Sequence, residues 1–232
     1  MEAFSPNHKI FKKKYDSGKP QVLFTTLSAD LYTPVSTLLK FKNLKYTFLF
    51  ESVEKGNNKG RYSFLGIEPD LIWECKDKKC LVRNLKDRTI QKIKNEKPIE
   101  SLRNFFLKNK FIIPKNLPPM SAGLFGYIGY DMIQNFENIN LKNEDDLNLP
   151  DSIFIRPTLM LIFDNVSDKL YIVKSIWPDS SEAKIVLEKS IKQIKNVVKL
   201  LQKPLKVKIQ NNFLENHSSS SLLKGVKSNI EF

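Results

Sequence analysis

Apolar positions recur along this chain at two different spacings, and the switches between them mark its elements. ADLYTPVSTLLKF spaces Val35, Leu38, Leu39 and Phe41 for a short helix, with Thr33 as its N-cap and Pro34 in its first position. YTFLFES is aromatic and β-prone, has no helical period and predicts a buried strand. RYSFLG follows as a second compact run, and DLIWECKDKKCLVRNL predicts a hairpin turning at DKK. In PIESLRNFFLKNK the residues Ile99, Leu102, Phe105 and Phe106 share one helical face behind Pro98, so this helix should pack on the sheet.

Past Pro119 the run SAGLFGYIGYD reads as strand-like, but Gly123, Gly126 and Gly129 interrupt it at a spacing of three. Interior glycine weakens a strand, so such a series points to close backbone approach or a bend. It does not read as a phosphate loop, because no helix start follows it in the GxGxxG manner. Tyr127, Tyr130 and Asp131 are expected as core and capping groups. ENINLKNEDDLNLPD is a polar loop, and SIFIRPTLMLIFDNVSDKLYIVKSIW is the clearest hairpin, two apolar strands around DNVSD. From Ser181 to Leu201 the residues Ile185, Ile191, Ile194, Val198 and Leu201 repeat at helical spacing with lysines opposite. Beyond Pro204 the chain is serine-rich, polar and aperiodic, as expected of a linker or tail.

Helices set between hairpin strands predict an α+β fold with mostly antiparallel sheet and packed helices, and there is no internal repeat. At 232 residues and 41% hydrophobic, with 16 Phe, the chain can bury a substantial core. No apolar run approaches the roughly 18 residues of a membrane span, and the start MEAFSPNHKIFKKKY lacks an apolar signal core, so a cytoplasmic location is expected. The net charge of +13 raises nucleic-acid binding, but the lysines are spread over polar faces and no basic motif interleaved with aromatics occurs, so neither nucleic acid nor membrane is expected as a partner.

Candidate chemistry concentrates in FESVEKGNNKGRYSFLG. One strand ends in Glu51 and Ser52, and Arg61 and Ser63 return beside them. On residue type alone these are solvated turn groups or one wall of a small-molecule site, and Arg61 is either a ligand for a carboxylate or a partner for a nearby acid. Elsewhere the signals are bland. His8 and His217 lie in polar flanks, Trp73 and Trp177 read as core, and Cys75 and Cys80 read as reduced thiols on facing arms of one hairpin. The acidic cluster Glu144 to Asp146 reads as solvated loop.

TPVSTLLKF, then FLFESVEKGNNKGRYSFLG, then PPMSAGLFGYIGYD, followed by the IRPTLMLIFD hairpin, resembles the amino-terminal region of anthranilate synthase component I. That family of chorismate-utilising enzymes converts chorismate, with ammonia from a glutamine amidotransferase subunit, to anthranilate and pyruvate. The resemblance runs from about Leu31 to VKSNI. It implies an amino-terminal extension over 1–30, the component I amino-terminal domain over 31–201, and over 202–232 a linker entering a further, chorismate-binding half. It also implies that Ser52, with Glu51 next and Arg61 and Ser63 in the same neighbourhood, meets the feedback inhibitor L-tryptophan. A zwitterionic amino acid needs an acceptor for its ammonium, donors for its carboxylate and an apolar wall for its indole. The Mg²⁺ and chorismate ligands of the family belong to its other half, so this chain is expected to bind no metal, to hold no catalytic residues and to be inactive alone. The folate-branch relative, aminodeoxychorismate synthase component I, and a free-standing ligand- or partner-binding module are the alternative readings.

Overall fold

A computed structural model of the chain describes residues 3–53, 59–110, 112–137, 139 and 147–205. Its elements are α1 His8–Asp16, β1 Gln21–Ser28, α2 Pro34–Lys40, β2 Phe48–Val53, β3 Lys59–Lys76, β4 Lys79–Asn84, β5 Thr89–Ile93, α3 Pro98–Asn109, β6 Phe125–Ile128, β7 Ser152–Asp164, β8 Lys169–Ile176 and α4 Ala183–Gln202. The strands form one antiparallel sheet in the order β1-β8-β7-β3-β4-β5, with β2 joined to β3 and β6 to β7. The expected α+β, mostly antiparallel architecture is the one observed.

β3 and β7 are the long central pair, and each changes its second neighbour halfway along. β3 pairs β2 through Ser63–Gly66 and β4 through Leu71–Lys76, while β7 pairs β6 through Ser152–Ile155 and β8 through Leu159–Asp164. The change coincides with a break in the β3–β7 register between Pro69 and Leu71, where Glu68 has a left-handed φ of 51°. Sequence periodicity reads RYSFLG and DLIWECK as separate strands because this bulge and Pro69 interrupt the alternation. The β7 backbone carries hydrogen bonding across the break.

The strand alternation sends apolar side chains to both faces. Leu23, Leu65, Ile67, Leu159, Leu161, Phe163 and Ile172 meet α1, α2 and α4 on one face, whereas Val22, Phe24, Phe64, Met160, Ile162 and Val173 meet Phe125 and the segment containing Leu117 and Ala122 on the other. A third cluster, Trp73, Cys75, Cys80, Phe105 and Met132, lies under α3.

α2 starts as read, with Thr33 and Ser36 forming a capping box over Pro34. The residues before Leu31, expected as an extension, instead supply α1 and β1. Phe11 is fully buried and β1 pairs β8 from Gln21 to Ser28, so this segment completes the sheet and its helix-covered face. β5, absent from the sequence reading, is nearly all exposed and too short and polar for periodicity to detect. α3 turns differently from its expected face: Pro98, Ser101, Phe105 and Asn109 are buried and Phe106 is half exposed. In α4, Ile185 is likewise exposed, while Leu187, Ile194, Val197, Val198 and Leu201 face the core.

Two glycines of the run, Gly126 and Gly129, provide close approach, while nothing lies within 4 Å of a Cβ on Gly123. A Cβ on Gly126 would lie 1.8 Å from the Ile153 carbonyl oxygen across the β6–β7 pair. A 3₁₀ helix, Tyr130–Asn135, follows it, where no helix start was expected. Tyr130 is exposed and Tyr127 half exposed rather than core, because β6 is an edge strand. The acidic cluster Glu144 to Asp146 and His217 lie outside the described residues.

Lys174 is a charged group inside this sheet. Its Nζ donates to Thr158 Oγ1 at 2.8 Å, and Thr158 Oγ1 donates to the Glu68 carbonyl at the bulge at 2.7 Å. Burial pushes its pKa from 10.5 down to about 8. The unfolded chain therefore holds this proton more tightly, and stability rises with pH across that interval, by up to about 3 kcal/mol. Urea unfolding measured from pH 7 to 10.5 should show that rise in the wild type and lose it in Lys174→Met.

Candidate functional site

The sequence-nominated residues gather where β2 meets the first half of β3. Glu51 pairs directly with Ser63, and the register then shifts before Val53 pairs Lys59, leaving one residue, Ser52, opposite three on β3. Alternation turns Glu51 and Ser52 to opposite faces. Ser52 shares its side with Phe50, and a Cβ on Gly60 would lie 2.0 Å from Ser52 Oγ, so only glycine fits at that β3 position. The β7–β8 turn holds Gly60 and Arg61 in place: Asn165 donates from Nδ2 to the Gly60 carbonyl and from its amide to the Arg61 carbonyl.

The four side chains do not converge on one point. Glu51 and Ser52 are exposed, while Ser63 is buried under the sheet. Arg61 takes the ion-pair alternative. Its Nε and Nη2 each donate to Asp164 at 3.2 Å, and its guanidinium stands 4.8 Å from the Tyr62 ring centre. Burial pushes the Asp164 carboxyl up, but hydrogen bonds from Arg61, Ser167 and the Val166 amide outweigh it and leave the group below the ordinary carboxylate range.

Next to Ser52 the same face carries an apolar groove of about 260 Å³, lined by Tyr46, Phe48, Phe50, Phe125, Ile153 and Ile155 among others. The rings of Phe48, Phe50 and Phe125 lie 4.9 to 6.2 Å apart, in the range of aromatic packing, and Phe50 is 43% exposed. YTFLF, expected as a buried strand, has no fully buried residue here. Tyr46, Phe48 and Phe50 alternate with period two, and that pattern is the signal of an aromatic face that the sequence reading passed over. β2 hydrogen-bonds to β3 alone, so among the described residues its outer backbone edge is open beside this groove.

No group of three or more His, Cys, Asp or Glu side chains is placed to hold a metal ion among the described residues. Among the same residues no helix is long and apolar enough to cross a membrane.

The model of a family described as chorismate binding enzyme matches residues 45–229. Anthranilate synthase component 1 of Cereibacter sphaeroides is 38% identical over 173 residues, covering 73% of this chain and 35% of that protein. The protein of the same name from Thermus thermophilus is 30% identical over 162 residues, covering 69% of this chain and 33% of its own length. A crystal structure of anthranilate synthase component I from Streptococcus pneumoniae TIGR4 aligns with a TM-score of 0.48 at 21% identity, over 77% of this chain and 36% of that one. The chain thus spans about a third of the length of the relatives it matches. A family match over 45–229, with relatives that agree with the resemblance carried by FLFESVEKGNNKGRYSFLG, makes this chain a member of the chorismate-binding enzyme family, as an anthranilate synthase component I-like region.

Proposed function

We propose that this chain is the amino-terminal, regulatory portion of an anthranilate synthase component I and that it takes part in sensing L-tryptophan. In this reading the chemistry on chorismate, with Mg²⁺ and with ammonia from a glutamine amidotransferase partner, belongs to the part of the relatives' length that the chain does not span, and the assembly works in the cytoplasm. The observation that carries the sensing role is the aromatic groove beside Ser52. An indole is a flat apolar body with one N–H, and Phe48, Phe50 and Phe125 offer it a wall of matching chemistry.

The amino-acid end needs polar partners within a few ångströms of that wall. Ser52 is two residues from Phe50 on the same side, about 7 Å along the strand. The open edge of β2 adds backbone donors and acceptors for the amino and carboxylate groups, while Glu51, turned to the opposite face, borders that edge from the other side. Arg61 is held by Asp164, so its part is to fix the start of β3, and Ser63 supports Glu51 from the opposite strand.

Calorimetry on a chain extended through the remaining family length tests this. Tryptophan affinity should fall about fivefold or more in Ser52→Ala, the worth of one hydrogen bond, and further in Ser52→Phe, which also crowds Gly60. Unchanged affinity in both variants rejects the site. A product assay on the same extended chain, anthranilate against aminodeoxychorismate, decides the branch.

A further inference from the structure

We propose that Cys75 and Cys80 are a thiol pair built to close into a reversible disulfide, which makes the β3–β4 hairpin a covalent modification site. The two residues are direct cross-strand partners in the β3–β4 register. The next pair, Lys76 and Lys79, flanks a two-residue turn in which Asp77 and Lys78 have φ of 48° and 62°. Two left-handed central residues define the tight hairpin turn whose flanking pair exchanges both backbone hydrogen bonds. Pairs alternate along an antiparallel ladder, so Cys75–Cys80 is a non-hydrogen-bonded pair, with Cα atoms about 4.5 Å apart and side chains at their closest. A disulfide spans Cα separations of about 4.4 to 6.8 Å, so the hairpin presents the two sulfurs within bridging range without moving the backbone.

The surroundings equip one sulfur to attack and the other to resolve. Hydrogen bonding to Cys80 and burial both push the Cys75 thiol up, while the hydrogen bond from Cys75, against the opposing effect of burial and aided by the Ser101 hydroxyl, brings Cys80 down. Ser101 accepts from Trp73 Nε1 at 2.9 Å, which orients its own hydroxyl hydrogen away from the indole. Both cysteines are free and buried, one pair from the exposed Asp77–Lys78 turn, which Lys76 Nζ and the Asp77 amide tie to the Leu149 carbonyl and Asp151, so an oxidant reaches the sulfurs when these contacts open.

With a small-molecule disulfide as oxidant, the step balances. The Cys80 thiolate attacks one sulfur of the reagent and expels its first thiolate, giving a mixed disulfide. Cys75 gives its proton to the thiolate released in the first step, attacks the Cys80 sulfur and expels the second thiolate, which takes a proton from water. Two protein thiols are oxidised and one external disulfide is reduced to two thiols.

The test exposes the full chain, in native buffer, to glutathione at graded ratios of oxidised to reduced form. Acid quenching, alkylation under denaturing conditions and peptide mapping then follow. The expected product is an internal Cys75–Cys80 disulfide free of glutathione and reversed by dithiothreitol. Its equilibrium constant should be about tenfold or more above that of the same chain in urea, because the fold pre-aligns the sulfurs. Cys75→Ser should trap a glutathione adduct on Cys80, and Cys80→Ser should leave Cys75 largely unmodified. Full alkylation of both cysteines at the most oxidising ratio, a persistent single glutathione adduct in the wild type, or equal constants in buffer and urea each overturns the proposal.

Discussion

Under the proposed function, purified chain supplied with chorismate, ammonia and Mg²⁺ should release no anthranilate above an enzyme-free control, whereas the same chain completed through the remaining family length should turn over. This is the largest effect expected of the protein, a difference between none and full activity. It rests on coverage: the chain spans 35% of the length of the relative from Cereibacter sphaeroides, and the proposed function assigns the chemistry to the remainder. Fluorescence detection of anthranilate is sensitive enough to see weak turnover, and appreciable product from the chain alone would reject the regulatory reading.

The second large effect concerns Arg156, a residue that no sequence pattern nominated. Its Nε and Nη2 donate to the two oxygens of Asp70 at 2.7 and 2.6 Å, Nη1 donates to Asn109 Oδ1, and the guanidinium stacks 3.8 Å over the Trp177 ring. One side chain on β7 therefore ties the β3 bulge, the end of α3 and the segment after β8. Its side chain is 11% exposed and that of Asp70 23%, so removal strands a carboxylate with little access to water. Arg156→Ala should cost about 3 kcal/mol or more, a large share of the 5 to 15 kcal/mol that holds such a domain together. Urea midpoints check this, with Arg61→Ala as the contrast. The Arg61–Asp164 pair has the same bidentate form and Asp164 is itself only 4% exposed, but Arg61 is 56% exposed and the Val166 amide and Ser167 still bond the carboxylate without it, so Arg61→Ala should lower the midpoint less than Arg156→Ala.

Those two pairs show how far the sequence was readable. Both arginines lie in segments that carry the family resemblance, GRYSFLG and IRPTLMLIFD, yet neither ion pair is legible there, because Asp164 is 103 residues from Arg61 and the partners of Arg156 are 86 and 47 residues away, and only the packed sheet brings them near. α2, β2, the β7–β8 hairpin and α4 were legible because each has an uninterrupted period or a turn of local chemistry. β5 was missed because an exposed five-residue edge strand has no buried face to impose alternation. β1 and α1 were set aside as an extension because the resemblance began after them, although Phe11, Leu23 and Phe24 are core residues. At the candidate site, the sequence brings Glu51, Ser52, Arg61 and Ser63 to notice, and the structure sets them along one strand pair, β2 and β3. Sequence could not say that Ser52 and Glu51 face opposite ways, or that Arg61 is engaged by Asp164.

By itself the sequence determined the α+β class, the hairpins, the principal helices and the family, because these depend on local period, turn residues and ordered motifs. The tertiary structure decided which strands are neighbours, how β3 and β7 change partners across one bulge, and that Tyr46, Phe48 and Phe50 join Phe125 in an open groove beside Ser52. The physical reason is range. Backbone propensity and side-chain periodicity act over a few residues, whereas register, close glycine approach and ion pairing are settled only when distant segments compete for the same space.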